Sequence, residues 1–320
     1  MAANVSFASF NLYNFQAPGK KVYGDTISTE SYNKKLHWTR DMLQEMDADI
    51  IGFQELWSKE CLDDVLSTSE LSSYQPIYLG DEWNNIAVAL AIREPWKVED
   101  VEIIKSFPFE QLIKVDDFDG EDDELNLSIK RFSRSVIKVR LSHTASGNTP
   151  DITVFACHLK SKVPSRVAGF DSQYTKPVGS ALSTIRRTAE ALALRMLLID
   201  HLSGSNSPTV VIGDMNDDPL SNTLSLITDQ PNMSSKATGG DKSLYSCLHQ
   251  QLLRSYGDVY YTHQYKNHLS ALDHILVSEE FFAQSHDAIW KHEETVFWND
   301  HLNGHHSYKT DHGIIKAMFR

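Results

Sequence analysis

Three cysteines in 320 residues, Cys61, Cys157 and Cys247, are too few and too widely spaced for a disulfide framework or a thiolate zinc site. They read as small buried hydrophobes. No apolar run approaches the ~20 residues that span a bilayer, and the opening "MAANVSFASFNLYNF" has no basic stretch followed by a long apolar one. The chain as it stands is expected in the cytoplasm, or secreted if a signal peptide was removed ahead of residue 1. No stable membrane association is expected, and the expected state is a monomer. Positive charge is scarce as well: 30 Lys and Arg stand against 43 Asp and Glu, and the net charge of −13 argues against broad electrostatic wrapping of nucleic acid. Internal repeats, low-complexity tracts and Pro- or Gly-rich linkers are missing, so residues 1–320 read as a single domain.

What charge there is lies unevenly. Asp116 to Glu124 holds seven acids in nine residues. A calcium loop laid over it would put its first ligand on Val115 and its last on Asn126, so the stretch reads as a solvated insertion. Ser128 to Arg140 carries five bases and no acid, a basic strip within an acidic chain.

β-rich runs recur at Val5–Phe10, Ile50–Phe53, Ile86–Ile92, Val98–Ser106, Ser135–Leu141, Ile152–Cys157, Thr209–Ile212, Leu272–Val277 and Gly313–Phe319. Helical periodicity is clearest over Tyr32–Met46 and Ser183–Leu202. Some strands follow each other directly and others are separated by helices, which predicts a mixed sheet or two packed sheets with helices outside.

Polar groups stand where several of these strands stop. Asn11 and Asn14 follow the first, Gln54 and Glu55 the second, and His158, Lys160 and Lys162 a third. "GDMND" places Asp214, Asn216 and Asp217 after a fourth; Asp273 and His274 open one late strand, and Asp311 and His312 precede the last. Singly, each has an ordinary structural reading as a turn or loop residue. Together they are what an active site built from strand ends requires. Carboxylate and carboxamide oxygens are hard ligands suited to Mg²⁺, Mn²⁺ or Ca²⁺. Histidines with carboxylate partners suit proton transfer and charge stabilisation. The parts are those of a metal-assisted phosphoester hydrolase.

The ordered set FN, QE, HLKSK, GDMND, LDH and TDH, running from Asn11 to His312, resembles the endonuclease/exonuclease/phosphatase superfamily, and most closely its bacterial extracellular-nuclease-like branch. That superfamily includes pancreatic deoxyribonuclease, apurinic-site repair endonucleases, neutral sphingomyelinases and inositol polyphosphate phosphatases. The resemblance implies a four-layer α/β sandwich, two face-to-face mixed β-sheets flanked by helices, with the site at one edge of the sheets. It implies Glu55 as principal metal ligand with Asn11 and Asp311 nearby, and Mg²⁺ as the cofactor, with Mn²⁺ or Ca²⁺ as alternatives. Asp214 and Asn216 would orient or deprotonate the attacking water and hold the phosphate, His158 would contact the phosphate, and Asp273 would pair with His312. Thr310 stands where the family usually has Ser, a change that keeps the hydroxyl.

Lys160 and Arg187 are candidate phosphate contacts, against the ordinary reading of basic residues as a solvated face. His274 reads as structural. His301, His305 and His306 lack the spacing of a second metal site. Tyr260, Tyr261, Tyr265, Trp298 and Tyr308 read as stacking or packing residues. The expected function is a divalent-metal-dependent phosphodiesterase, a nuclease acting on DNA and/or RNA. The alternatives are a sphingomyelinase-type or small-molecule phosphoesterase and a catalytically inactive binding scaffold.

Overall fold

The computed structural model of the chain describes residues 2–79, 86–113, 126–255, 260–304 and 306–320. The acidic stretch at 116–124 and His305 lie outside the described residues.

Two six-stranded sheets carry the fold. The first is built from β1 (Val5–Phe15), β2 (Ile50–Leu56), β3 (Tyr74–Ile77) and β4 (Ala87–Arg93), completed by β11 (His292–Trp298) and β12 (Ile314–Phe319), in the order β11-β12-β1-β2-β4-β3. The second comprises β5 (Trp96–Ser106), β6 (Arg131–His143), β7 (Ile152–His158), β8 (Thr209–Asp214), β9 (Tyr245–Ser246) and β10 (Asp273–Val277), in the order β9-β10-β8-β7-β6-β5. Each sheet has one parallel pair, β1 with β2 and β7 with β8, and antiparallel neighbours on both sides. A helix makes each parallel crossover, as parallel pairing requires: α1 (Thr29–Met46) in the first sheet and α3 (Ser172–Leu202) in the second.

Helix α1 starts where the Ser28 side chain accepts from the Ser31 amide and stops where Asp47 turns left-handed, its N–H returning to the Leu43 carbonyl. Its buried positions Tyr32, Leu36, Leu43 and Met46 pack with α2 (Lys59–Leu66) on the outer face of the first sheet. Helices α3 and α4 (Asn222–Thr228) cover the second sheet through Leu194, Leu198, Leu224 and Ile227. The sheets bury their inner faces against each other, with Phe7, Ile50, Val88 and Leu90 facing Val139, Val154, Ile212 and Ile275. Three apolar layers thus separate four layers of secondary structure, the expected sandwich. Each apolar layer holds one free cysteine: Cys247 lies between the sheets, Cys61 under α2 and Cys157 under α3.

Strand periodicity decides where function can sit. Residues two apart share a face, so Val5, Phe7, Ser9 and Asn11 follow one another along the inner face of β1, and Val154, Ala156 and His158 along that of β7. Val210, Ile212 and Asp214 do the same on β8, and Asp273, Ile275 and Val277 on β10. In every case the inner face is apolar until one end of the sandwich, where it turns polar. The C-terminal ends of the parallel strands and the N-terminal ends of β10 and β12 meet at that end.

The sequence reading stops several strands one to five residues early because these polar residues break the apolar pattern. It misses β3, where Pro76 sits in an edge strand, and β11, an edge strand that opens "HEE". Helix α3 begins eleven residues before the expected Ser183, since Pro177 and Gly179 lower the helical signal of its first turns.

Close approach fixes two glycines. A Cβ on Gly52 would lie 2.7 Å from the Ile212 Cγ2 of the opposite sheet, and one on Gly213 would lie 1.9 Å from the Cys157 carbonyl oxygen. Gly213→Ala therefore forces β7 and β8 apart, at a cost of about 3 kcal/mol, the upper end of the usual overpacking range. Gly147→Ala, where a Cβ meets nothing within 4 Å, serves as the control. Urea unfolding should show a large drop in midpoint for the first variant and almost none for the second.

Candidate active site

Three of the acid–base residues are neighbours across adjacent strands of one sheet. His158 pairs in register with Asp214, and Asp214 with Asp273. The Asp214 carboxylate is the hub. Its Oδ1 accepts from the Asn216 amide at 2.8 Å, and its Oδ2 accepts from Asn11 Nδ2 of the opposite sheet at 3.1 Å. His158 Nε2 lies 3.5 Å from Oδ2 and His312 Nε2 lies 3.9 Å from it. His312 Nδ1 donates to Asp273 Oδ2 at 2.8 Å. Asn11, His158, Asp214, Asp273 and His312 are all buried.

The rim is more open. By plain alternation Glu55 would fall on the helix side of β2. A register shift between Phe53 and Leu56 and a left-handed backbone at Glu55 (φ 58°) re-aim it, and its Oε2 accepts from the Asn14 amide at 3.0 Å. Asp311 is exposed beside His312. Tyr13, Asn14 and Asn216 are also left-handed, a concentration of unfavourable backbone that marks functional turns. Thr310 joins the halves: its hydroxyl donates to the Asn11 carbonyl at 2.7 Å and accepts from the His312 amide at 3.1 Å. The hydroxyl, which Ser and Thr share, is what the position uses.

Electrostatics separates the two histidines. Burial, then the positive charges of Arg134, His312 and Lys160, hold His158 well below the ordinary imidazole range, so it is neutral. Burial also opposes charge on His312, but Asp273 and Asp214 outweigh it and lift the imidazole well above that range. Asp214 is pushed up to about 7, chiefly by burial and partly by Asp273, with His312 opposing. Burial likewise raises Glu55, helped by Asp311 and opposed by His312 and Arg134.

Not every residue of the motifs reaches this centre. Asp217 accepts from Thr223 Oγ1 at 2.7 Å and pairs with Arg187 at 3.3 Å and Lys162 at 3.2 Å, while Asp218 accepts from the Ala271 amide at 3.1 Å. These two acids hold the turn. Arg187, a candidate phosphate contact from sequence, is buried and spends its guanidinium on Asp217 and on the Lys160 carbonyl at 3.3 Å. Lys160, the other candidate, folds its Nζ onto Ser161 and the Val163 carbonyl at 3.1 Å. Both brace the loop as placed here. Asn216 Nδ2 donates to the Leu159 carbonyl at 3.1 Å, which ties the turn to the strand end of His158. His274 Nε2 bonds the Asp217 carbonyl at 2.9 Å on the helix side. His301 is engaged by the His312 carbonyl at 2.7 Å and by the Trp38 ring.

Three contributors carry no motif. His263 lies against His312 with ring centroids 5.2 Å apart and planes tilted by 52°, and joins Asp311 and His312 in one of two metal-capable groups among the described residues, the other being Asp214, Asp273 and His312. Buried Lys35 donates to the Tyr13 carbonyl at 2.7 Å and so supports the left-handed turn beneath Glu55. Exposed Tyr23 packs edge-on against Trp57, two residues beyond Glu55, whereas of the aromatics expected from sequence Trp298 donates to Glu45 and Tyr260 packs on Phe297. Polar groups at the ends of apolar strands signal the rest of the candidate site before folding, and that signal does not reach these three.

The donor set fits a hard divalent cation. Asp311 stands close enough to raise the cost of ionising Glu55, Asn11 adds a carboxamide oxygen, and all three cysteines are buried in apolar layers away from the rim.

Against known proteins, the Endonuclease/Exonuclease/phosphatase family model matches residues 8–312, and the chain belongs to that family of metal-dependent hydrolytic phosphoesterases. No curated protein matches by sequence. Similar solved structures include an endonuclease/exonuclease/phosphatase from Bacteroides vulgatus, 15% identical with a TM-score of 0.59 and 99% of each chain covered. Another is TDP2 of D. rerio complexed with single strand DNA product, 13% identical with a TM-score of 0.56, again over 99% of each chain. A third is a mannosyl-6-phosphatase from Bacteroides thetaiotaomicron, 15% identical with a TM-score of 0.57 and 99% of each covered. At these identities they show the shared fold. Among the described residues no helix is long and apolar enough to cross a membrane.

The His312–Asp273 pair predicts a pH signature. Because the folded imidazole titrates above its unfolded value of about 6.5, its stabilising contribution is complete below that pH and is lost as pH rises through the folded pKa. In metal-free protein, histidine ¹⁵N spectra should show His312 charged and His158 neutral at pH 7. Asp273→Asn should move the His312 titration to lower pH; an unchanged His312 curve would refute the pairing.

Proposed function

We propose that the chain is a divalent-metal-dependent phosphodiesterase and that nucleic-acid strands are its substrate. The observation that carries this reading is one carboxylate, Asp214, set between a neutral and a protonated histidine at the same strand ends as Glu55 and Asp311. Glu55, Asp311 and Asn11 would hold the cation, which when bound neutralises charge on the phosphoryl oxygens.

Asp214, titrating near neutrality, takes the proton of the attacking water as the water oxygen bonds to phosphorus and the bond to the leaving oxygen breaks, its electron pair staying on that oxygen, which then takes a proton from solvent. His312 holds its charge on Asp273 and points a second N–H at the phosphoryl group, a preorganised donor in a water-poor site. His158 contributes a neutral hydrogen bond to the same group; its Nδ1, like Asp273 Oδ1, is buried without a partner among the described residues. Asn11 and Asn216 keep the Asp214 carboxylate in place. The retention of this whole set argues against an inactive scaffold.

A strand substrate is favoured by the exposed faces of Tyr13 and Tyr23 beside Glu55, on which a base or sugar can stack. The DNA product held by the similar TDP2 fold agrees with it, while the similar mannosyl-6-phosphatase marks the monophosphoester alternative.

Chelation should abolish hydrolysis, and Glu55→Gln should raise the Mg²⁺ concentration needed for half-maximal rate; full activity in excess EDTA would sink the metal dependence. Asp214→Asn and His312→Ala should each lower kcat on the order of 10²-fold, the usual contribution of a proton-transfer group for the first and of a preorganised charge-stabilising donor for the second. Purified protein assayed with Mg²⁺ or Mn²⁺ against plasmid, single-stranded DNA, RNA, sphingomyelin, a sugar monophosphate and bis-p-nitrophenyl phosphate tests the substrate. Nucleic acid should be cut best and bind less tightly as salt rises. Efficient cleavage of sphingomyelin or the sugar phosphate with no cutting of nucleic acid would overturn the substrate and leave the phosphoesterase chemistry standing.

A further inference from the structure

Beside the acid–base centre lies a pocket that the mechanism above does not use. The first residues of β6, with Lys105 of β5 and Arg186 of α3, enclose about 220 Å³. Lys105, Arg131, Arg134 and Arg186 line it with Ser133, Ser135 and the apolar Leu79, Ile86 and Phe132, and no acid lines it among the described residues. Arg186 is paired with Glu190 behind the wall, whereas the neighbouring charges of Arg131 and Arg134 would be offset by an anion held among them.

The wall is built and held from behind. Fully buried Glu190 of α3 accepts from the Ser133 amide at 2.8 Å, from the Ser133 hydroxyl, from Arg186 Nε at 3.2 Å and from the Lys160 amide at 2.7 Å. Arg186 also reaches Ser133 Oγ at 3.0 Å and the Arg131 carbonyl at 3.2 Å, so its guanidinium is set over the edge of β6 before any ligand arrives. Arg131 is exposed and has no ion-pair partner among the described residues. Arg134 connects pocket and catalytic centre: it lines the one, donates to the Leu159 carbonyl at 3.2 Å beside His158, and its charge is felt by both Glu55 and His158.

We propose that this pocket is a second phosphate site, which binds a non-reacting phosphate of the same nucleic-acid strand whose reacting phosphate lies at Glu55, His158 and Asp214. It rests on the phosphodiesterase reading and adds to it a requirement for more than one phosphate on a good substrate. A guanidinium fork fits carboxylate and phosphate alike, but several cationic side chains around one small volume can engage more oxygens than a lone carboxylate has, and a phosphate supplies them. Sharing Arg134 with the reacting centre makes a linked phosphate the natural occupant.

The test compares a thymidine dinucleotide, with one phosphodiester, and a pentathymidylate in the wild type, Arg131→Gln and Arg186→Gln. Losing a charge-assisted contact should lower the ratio of kcat/KM for the pentamer over the dimer by about tenfold, mostly through the KM of the pentamer. Calorimetric titration of metal-free protein with inorganic pyrophosphate should show correspondingly weaker binding in the variants. Arg131→Gln breaks no side-chain contact among the described residues, so it carries the test where Arg186→Gln disturbs Ser133. If both oligonucleotides are cleaved and the ratio is the same in all three proteins, the pocket is not a strand subsite, whether or not pyrophosphate binds. If the wild type cleaves bis-p-nitrophenyl phosphate but neither oligonucleotide, the strand substrate and the subsite fall together and the phosphoesterase centre survives.

Discussion

The hydrogen bond from Asn11 Nδ2 to Asp214 Oδ2 at 3.1 Å crosses the interface of the two sheets where its apolar packing ends. It requires the sheets to meet closely, and the clearance at Gly52 against Ile212 sets that approach. An ionised carboxylate at this depth is costly to desolvate, and the cost is offset only while its donors stay in place. The proposed acid–base centre therefore depends on the registration of two sheets that share no strand, and their alignment is a property of the whole core. A substitution far from the cleft that slides one sheet over the other would separate Asn11 from Asp214 without touching either residue.

The inner-face alternation explains how one architecture provides both a core and a reaction site. Along β1, β7, β8 and β10 the same side of the strand passes from Phe, Val and Ile to Asn, His and Asp. The apolar part fixes strand positions; the polar part inherits that precision, since a residue two positions further along a packed strand has little freedom left. Loops add what strands cannot. Glu55 is turned by a bulge, Asn216 and Asn14 by left-handed backbone, and His312 is held from outside by Thr310.

Much of this was legible in the sequence, and the exceptions have physical reasons. Asn11, Glu55, His158, Asp214, Asp273 and His312 declare themselves by standing at the ends of recognisable strands. The mixture of direct and helix-linked strand connections left a mixed sheet or two packed sheets open, and the family resemblance supplied the sandwich. Lys160 and Arg187 were harder because a basic side chain near a phosphate site has two good uses, and no local pattern tells a ligand contact from a brace on Asp217. His263 and Lys35 reach the site only through tertiary structure, one from a short hairpin and the other from the buried face of α1, so nothing adjacent in sequence marks them. Edge strands such as His292–Trp298 carry few apolar residues because solvent covers one side, and their pattern is correspondingly faint.

The distribution of cysteines gives the molecule a built-in set of reporters. Cys247 lies between the sheets, Cys61 beneath α2 and Cys157 beneath α3, and burial pushes all three thiols up, Cys61 to about 12. None can react with an alkylating reagent while its layer is closed, because the thiolate is the reactive form and is neither formed nor reachable there. Each layer must open before its own thiol is modified. The order in which the three are labelled under mild denaturant would therefore reveal whether the sandwich comes apart as one unit or sheds its outer helices while the two sheets are still joined.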